Sequence, residues 1–355
     1  MGLVSETLVL EPDFAIKRGL EFIYRTACAP ENFDLYGYDY LGCFHCIATT
    51  SRDLSLRRLA KRWGRELAQK WRSQHTEVSP DADADEVALL VFGSYAAAGL
   101  GIPDSLFRDK LRKAASRFGP LDYFGFDTAT EAPPADVPED CDCGYGNRRG
   151  RKRCSHCRKP LSMISRYGVW VDALTRTYTG DRYGIRLGAS FADVIKWLPV
   201  MRPYPNGDPN DPDFFWAIYA VTHIVYTLND YSRYQLSPRW LPIEHAFLKR
   251  NLKQAIAMQD PETMGEFLDA LKSFGRAEDH SLIRMGVDYL LATQNQDGSW
   301  GDIEVDDIYR RHHPTWTAID GLREYRWQGK RLSFPELQSL LKAWAEDQDV
   351  GLADR

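Results

Sequence analysis

Along most of the chain, apolar residues return at three- and four-residue spacing, and no alternating run bounded by hairpin dipeptides interrupts them. The pattern predicts helices over Phe14–Cys28, Tyr38–Thr50, Leu54–Arg72, Glu86–Gly99 and Ser105–Phe118. After a polar stretch it resumes over Met163–Tyr178, Leu187–Met201, Pro212–Tyr231, Trp240–Met258, Pro261–Phe274, Leu282–Gln294, Pro314–Trp327 and Phe334–Ala345. Asp211-Pro212 and Asp260-Pro261 read as helix starts: the carboxylate caps free N–H groups, and proline's fixed φ suits the first turn.

The helices are of two kinds. Leu54–Arg72 carries Arg57, Arg58, Lys61, Arg62, Arg65 and Lys70 on one face and reads as an outer helix. The stretch from Phe214 to Tyr226 is apolar or aromatic on every face and reads as buried all round. Six inner helices, starting near Tyr38, Glu86, Met163, Asp213, Glu262 and Pro314, give the count of a closed (α/α)6 toroid; a stacked helical solenoid is the alternative. Residues 1–118 and 163–355 then form one all-α domain, with 119–162 inserted in it.

Composition narrows the class. The chain has 355 residues, 44% of them apolar, and a net charge of −5, which gives no general reason to expect a nucleic-acid partner. No leader-like segment and no apolar run of about 18 residues occurs, so an unexported protein without a membrane span is expected. Seven cysteines, four of them in one polar stretch, favour metal binding in a reducing compartment over disulfides, and hence a cytoplasmic location.

Those four are Cys141-Asp-Cys143 and, ten residues on, Cys154-Ser-His-Cys157. Two close pairs suffice to wrap one tetrahedral zinc, so a structural Zn(2+) knuckle is predicted, with His156 as the alternative to one cysteine. The run from Asn147 to Arg153 between the pairs is strongly basic and suits contact with phosphate, on a nucleic acid or a small substrate; the alternative is a solvated loop offset by Asp136, Glu139, Asp140 and Asp142 nearby.

The segment Gln294 to Gly301, QNQDGSWG, resembles the Gln-Trp repeat of terpene cyclases, and the stretch from Pro314 to Leu322 is similar to the last inner helix of the terpene cyclase and protein prenyltransferase superfamily. The resemblance is specific over Leu282 to Tyr325 and implies the toroid fold. It also gives meaning to Asp83-Ala-Asp85-Glu86-Val-Ala, which looks like the Asp-x-Asp-Asp-Thr-Ala motif of protonating cyclases, with Glu for the fourth Asp and Val for Thr. That match implies Asp85 as general acid with Asp83 and Glu86 beside it; capping of a helix N-terminus is the competing account. His313 stands where the resemblance places the zinc-binding histidine of prenyltransferases, with His312 as its rival. No matching Asp-x-Cys pair lies upstream, so the partners for a second metal would come from His223 and Asp230, or from Cys43, His45 and Cys46, where lanthionine cyclases, also helical toroids, hold zinc.

Aromatic residues gather near the inner-helix starts, and Tyr38, Tyr167, Trp170, Tyr226 and Trp316 are expected to line an axial cavity suited to an apolar or cationic ligand. The functional expectation is an enzyme using acid or metal-assisted chemistry on an apolar small molecule. The alternatives are a zinc-containing binding or scaffold toroid, and a metal-dependent oxidative enzyme centred on its histidines.

Overall fold

The computed structural model describes residues 11–205, 207–275 and 281–353. It is all-helical, and among the described residues there is no β-strand, only isolated bridges such as Ser51 with Tyr325. The helices are α1 (Pro12–Cys28), α2 (Pro30–Thr50), α3 (Leu54–Gln74), α4 (Ala84–Gly99), α5 (Ser105–Ala115), α6 (Pro120–Phe124), α7 (Arg166–Tyr183), α8 (Phe191–Ile195), α9 (Leu198–Met201), α10 (Pro212–Leu228), α11 (Pro242–Ala257), α12 (Pro261–Ser273), α13 (Ser281–Thr293), α14 (Tyr309–Leu322) and, after a 3-10 turn, α15 (Gln338–Ala353).

One capping device starts many of them. Asp53, Asp83, Asp104, Asp211 and Asp260 each accept from a backbone N–H of the first turn, and Pro12, Pro30, Pro212, Pro242 and Pro261 stand at the first helical position. Six helices pack in cyclic order: α2 on α4, α4 on α7, α7 on α10, α10 on α12, α12 on α14, and α14 back on α2. The others cover them from outside, α3 against α2 and α4, α11 and α13 against α12, and α1 against α2 and α14. Burial follows this division. Every residue of α12 from Thr263 to Ser273 is buried, whereas α3 buries only Ala60, Gly64, Leu67, Ala68 and Trp71.

Two connections bring the chain's beginning to its end. Arg52 N–H donates to Glu324 O and Arg326 N–H to Thr50 O, joining α2 to the strand of chain after α14. The QNQDGSWG segment does the same for α1. The Gln294 amide donates to Ala15 O (2.8 Å) and Gly298 O (2.9 Å), and Arg18 donates to Asn295 O (3.2 Å). Trp300 is fully buried, its indole N–H on Leu290 O (2.7 Å) and its backbone N–H on the Thr315 hydroxyl (2.8 Å). Gly298, at φ 94°, lies so close to Arg18 that a Cβ there would meet Arg18 O at 2.7 Å.

Several boundaries differ from the periodicity. α2 begins at Pro30 rather than Tyr38, bending at Tyr36 (φ −126°, ψ 18°). The helix expected over 187–201 is two short ones: Ser190 and Asp193 form a capping box that restarts the chain, and Pro199 carries no N–H for a continuous ladder. α14 starts at Tyr309 and contains Pro314 inside it, then stops at Leu322, where the next residues pair with the end of α2. Of the predicted insert, the first part packs into the body: Phe126 is fully buried, and Trp197 donates to Thr128 O (2.9 Å).

Candidate functional site

Two places gather chemistry. The first is the cysteine loop. Cys141 Sγ lies 3.4 Å from Cys157 Sγ and Cys143 Sγ 3.7 Å from Cys154 Sγ, and the four sulfurs are all within 4.8 Å of one another. A tetrahedron of Zn–S bonds of about 2.3 Å has edges of about 3.8 Å, so the spacing matches one ion's ligand shell. Burial works against a Cys154 thiolate, but the backbone N–H groups of Cys157 and His156 and the Asn147 side chain outweigh it and bring the thiol down to about 6. His156 stands outside this group and stacks on Tyr145, ring centroids 5.8 Å apart.

The second place is a cavity of about 420 Å³ lined by residues of those six cyclically packed helices. α2 contributes Tyr38, Asp39, Gly42, His45 and Cys46; α4 contributes Leu89, Phe92 and Tyr95; α7 contributes Asp172, Thr175, Arg176, Tyr178 and Thr179. α10 supplies Tyr219, His223 and Tyr226, α12 supplies Glu266 and Asp269, and α14 supplies Tyr309, His313, Trp316, Thr317 and Asp320. Tyr231, after α10, completes a lining dominated by tyrosine rings.

On α12, Glu262, Glu266 and Asp269 are spaced i, i+4, i+7 and so share one face. Ligand atoms of Glu262, Glu266 and His313 lie within 4.8 Å of one another, a grouping able to hold a metal ion. His313 Nδ1 is 3.4 Å from Asp39 Oδ2 and its Nε2 3.8 Å from Glu262 Oε1, while His312 Nε2 reaches the same Asp39 oxygen at 2.8 Å. The Thr222 hydroxyl donates to Glu266 Oε2 (2.6 Å), and His223 Nδ1, 4.0 Å from that oxygen, donates to Tyr219 O (2.8 Å).

The charges respond to this crowding. Burial opposes an ionised Asp39, yet the imidazoles of His313 and His312 outweigh it and hold the carboxyl well below its usual range. Burial also opposes a charged His313, but Asp39 and Glu262 raise it to about 10. Burial, helped by Glu262, lifts Glu266 to about 8. Farther along α12, burial and then Asp320 lift Asp269 to about 7. His223 and His45, buried without a carboxylate strong enough to hold a proton on them, fall to about 3 and about 4.

Of the residues singled out in the sequence, His45, Cys46, His223, His313, Tyr38, Tyr226 and Trp316 line the cavity, and the four loop cysteines gather together. Asp83, Asp85, Glu86, Asp230, Tyr167 and Trp170 do not line it. Asp83, Asp85 and Glu86 are exposed; Asp83 caps α4 through Glu86 N–H (2.9 Å), and Asp85 pairs with Arg176. Their acid-motif likeness therefore records a helix cap. Asp230 is buried, but Arg182 (3.1 Å), Arg233 (2.8 Å) and the Tyr178 hydroxyl (2.6 Å) take up its carboxylate, so it is not the partner of His313. Tyr167 and Trp170 are packed in the body, donating to Met201 O (3.3 Å) and Val194 O (3.0 Å).

Asp39 stands among the polar residues near the inner-helix starts that the sequence places at the cavity, whereas Glu262, Glu266 and Asp269 were not picked out by sequence reasoning. The available signal was the carboxylate stripe on α12, a helix whose other positions include Met264, Phe267, Leu268 and Leu271. Compared with family models, curated proteins and solved structures, the chain matches none.

Proposed function

We propose that the cyclic arrangement of helices is an (α/α)6 toroid, that the four cysteines hold one structural zinc, and that the axial cavity is the active site of an enzyme acting on a small, largely apolar molecule. The observation that carries this reading is Glu266 and Asp269 of α12 lining a tyrosine-rich cavity with His313, which also lies within 4.8 Å of Glu262 and Glu266 ligand atoms. The QNQDGSWG segment supports it, lying between an outer and an inner helix as the resemblance to terpene cyclases implies.

His313, Glu262 and Glu266 would hold a divalent transition ion, since one imidazole and two carboxylates suit zinc, iron or manganese. Such an ion supplies Lewis acidity or lowers the pKa of bound water. Asp39 accepts from His313 Nδ1 and so sets the ring with Nε2 toward Glu262, the usual way a carboxylate aims a ligating histidine. Asp269, holding its proton up to about pH 7, is placed to donate it, and the faces of Tyr226 and Tyr231 offer negative quadrupoles to a cation formed by that donation.

Metal analysis of the full chain tests both sites. Wild type is expected to carry two equivalents. Cys154→Ser should lose one, all of it zinc, and loosen the cysteine loop more than the ring, because metal affinity is part of local folding energy. His313→Ala and Glu266→Gln should each lose the other and keep the cysteine-bound zinc. A wild type with a single equivalent, untouched by His313→Ala, would leave only the zinc knuckle and return the chain to a binding toroid.

A further inference from the structure

The basic run of the cysteine loop has no part in the cavity chemistry. Within residues 147–159, Arg149 is taken up by Glu131 (2.8 Å) and Asp136 (2.5 Å), and Lys159 stands 3.5 Å from Asp142. Arg148, Arg151, Lys152, Arg153 and Arg158 are exposed and, among the described residues, meet no carboxylate within ion-pair distance. Five cations without a carboxylate partner on one short loop, Arg153 donating only to Arg158 O (3.3 Å), form a local reversal of sign in a chain of net charge −5.

An aromatic surface stands among them. Tyr145, 46% exposed, lies nearly parallel to the exposed His156 ring, 16° between planes. Asn147 fixes this pair from both sides. Its amide donates to Tyr145 O (2.9 Å), and its carbonyl oxygen accepts from Ser155 N–H (2.8 Å), next to His156. The cysteine cluster anchors both arms of the loop, so the rings and the cations are held together before any partner arrives.

We propose that this loop is a docking surface for single-stranded nucleic acid, with phosphates on the arginines and lysine that have no carboxylate partner and a base stacked on the Tyr145 face. Unpaired bases stack on exposed aromatic rings irrespective of sequence, whereas in a duplex they are already stacked on each other. A lipid surface or an acidic peptide fits less well. Residues 141–159 contain no Leu, Ile, Val, Met, Phe or Trp to enter a bilayer or anchor a protein interface.

The test is fluorescence anisotropy of the zinc-loaded full chain with short labelled poly-U and poly-dT strands, across a salt series. Five phosphate contacts give a log–log salt slope of about −3.5, so each doubling of salt should weaken binding about tenfold. Replacing Arg151, Lys152 and Arg153 together with Ser should cut the slope to about −1.4. Tyr145→Ala should weaken binding about tenfold and leave the slope unchanged, as loss of one stacked base would. Both variants keep the four cysteines, and an unchanged zinc content shows that the loop still folds. Equal binding of duplex or heparin with no effect of Tyr145→Ala would reduce the loop to a general anion surface and overturn the proposal. So would preferential binding of acidic vesicles, or no salt-dependent binding. None of these results bears on the metal content of the cavity.

Discussion

An Asp269→Asn protein should be more stable than wild type at pH 8 and about equal to it near pH 4. Asp269 is buried on α12 and faces Asp320 and Arg323 from α14 and the segment after it, Ser232 and Tyr226 from the α10 side, and Cys46 from α2. Burial and Asp320 raise its carboxyl to about 7, above the ordinary aspartate value near 4. A carboxyl whose pKa is higher in the folded state contributes stability that is fully present below the unfolded pKa and is lost as pH rises to the folded one. Wild type should therefore lose stability between about pH 4 and pH 7. The Asp269–Asp320 pair shares its titration, so the loss is on the order of 2–4 kcal/mol. Asparagine carries no titrating proton and still offers a carbonyl oxygen to the Ser232 hydroxyl, now 2.7 Å from Asp269 Oδ1. Urea unfolding of both proteins at pH 4, 6 and 8 reads the difference; parallel pH curves would show that Asp269 is ionised throughout and cannot serve as a proton donor.

Trp300→Ala should cost about 3–5 kcal/mol, the range for emptying a buried aromatic site. The indole is fully buried, and Gly19 of α1 approaches it so closely that a Cβ at Gly19 would meet its ring at 2.9 Å. Alanine would leave Leu290 O without the indole donor and a void between α1, α13 and α14. Hydrogen exchange should then quicken first in α1 and only later in α10. A loss below about 1 kcal/mol, or uniform exchange, would mean that α1 is held by other contacts.

Much of the helix order was legible because caps and prolines mark starts whatever the tertiary context, as at Asp211-Pro212 and Asp260-Pro261. The cysteine cluster was legible because its four ligands come from one short loop. The cavity chemistry was not, for two physical reasons. First, α7 turns a polar stripe inward, Asp172, Thr175, Arg176 and Thr179 at i, i+3, i+4, i+7, so its cavity face has the pattern of a solvent face; Tyr167 and Trp170, the aromatic choice, belong to the packed side. Second, spacing within one helix does not show which helix lies opposite. Asp230 shared a helix-like spacing with His223, but the chain leaves α10 at Leu228, and residues 230–232 take positive φ, which delivers Asp230 to Arg182 and Arg233 instead. Asp83, Asp85 and Glu86 carried a family-like motif, yet the same residue types are what an exposed N-terminus of an apolar helix favours.

The bond from Gln294 to Ala15 joins positions 279 residues apart, and α1 packs on both α2 and α14. On a translating ribosome α1 is made before α14, and the side of it that meets Trp300 and Ile319 finds those partners only after the whole span up to α14 has emerged. Until then the Gly19 side of α1 is a nascent chain's unfinished seam, open to chaperones and to neighbouring nascent chains. The packing of α1 on α14 is therefore completed late, and a message cut short before Trp300 yields a chain in which α1 lacks that packing partner.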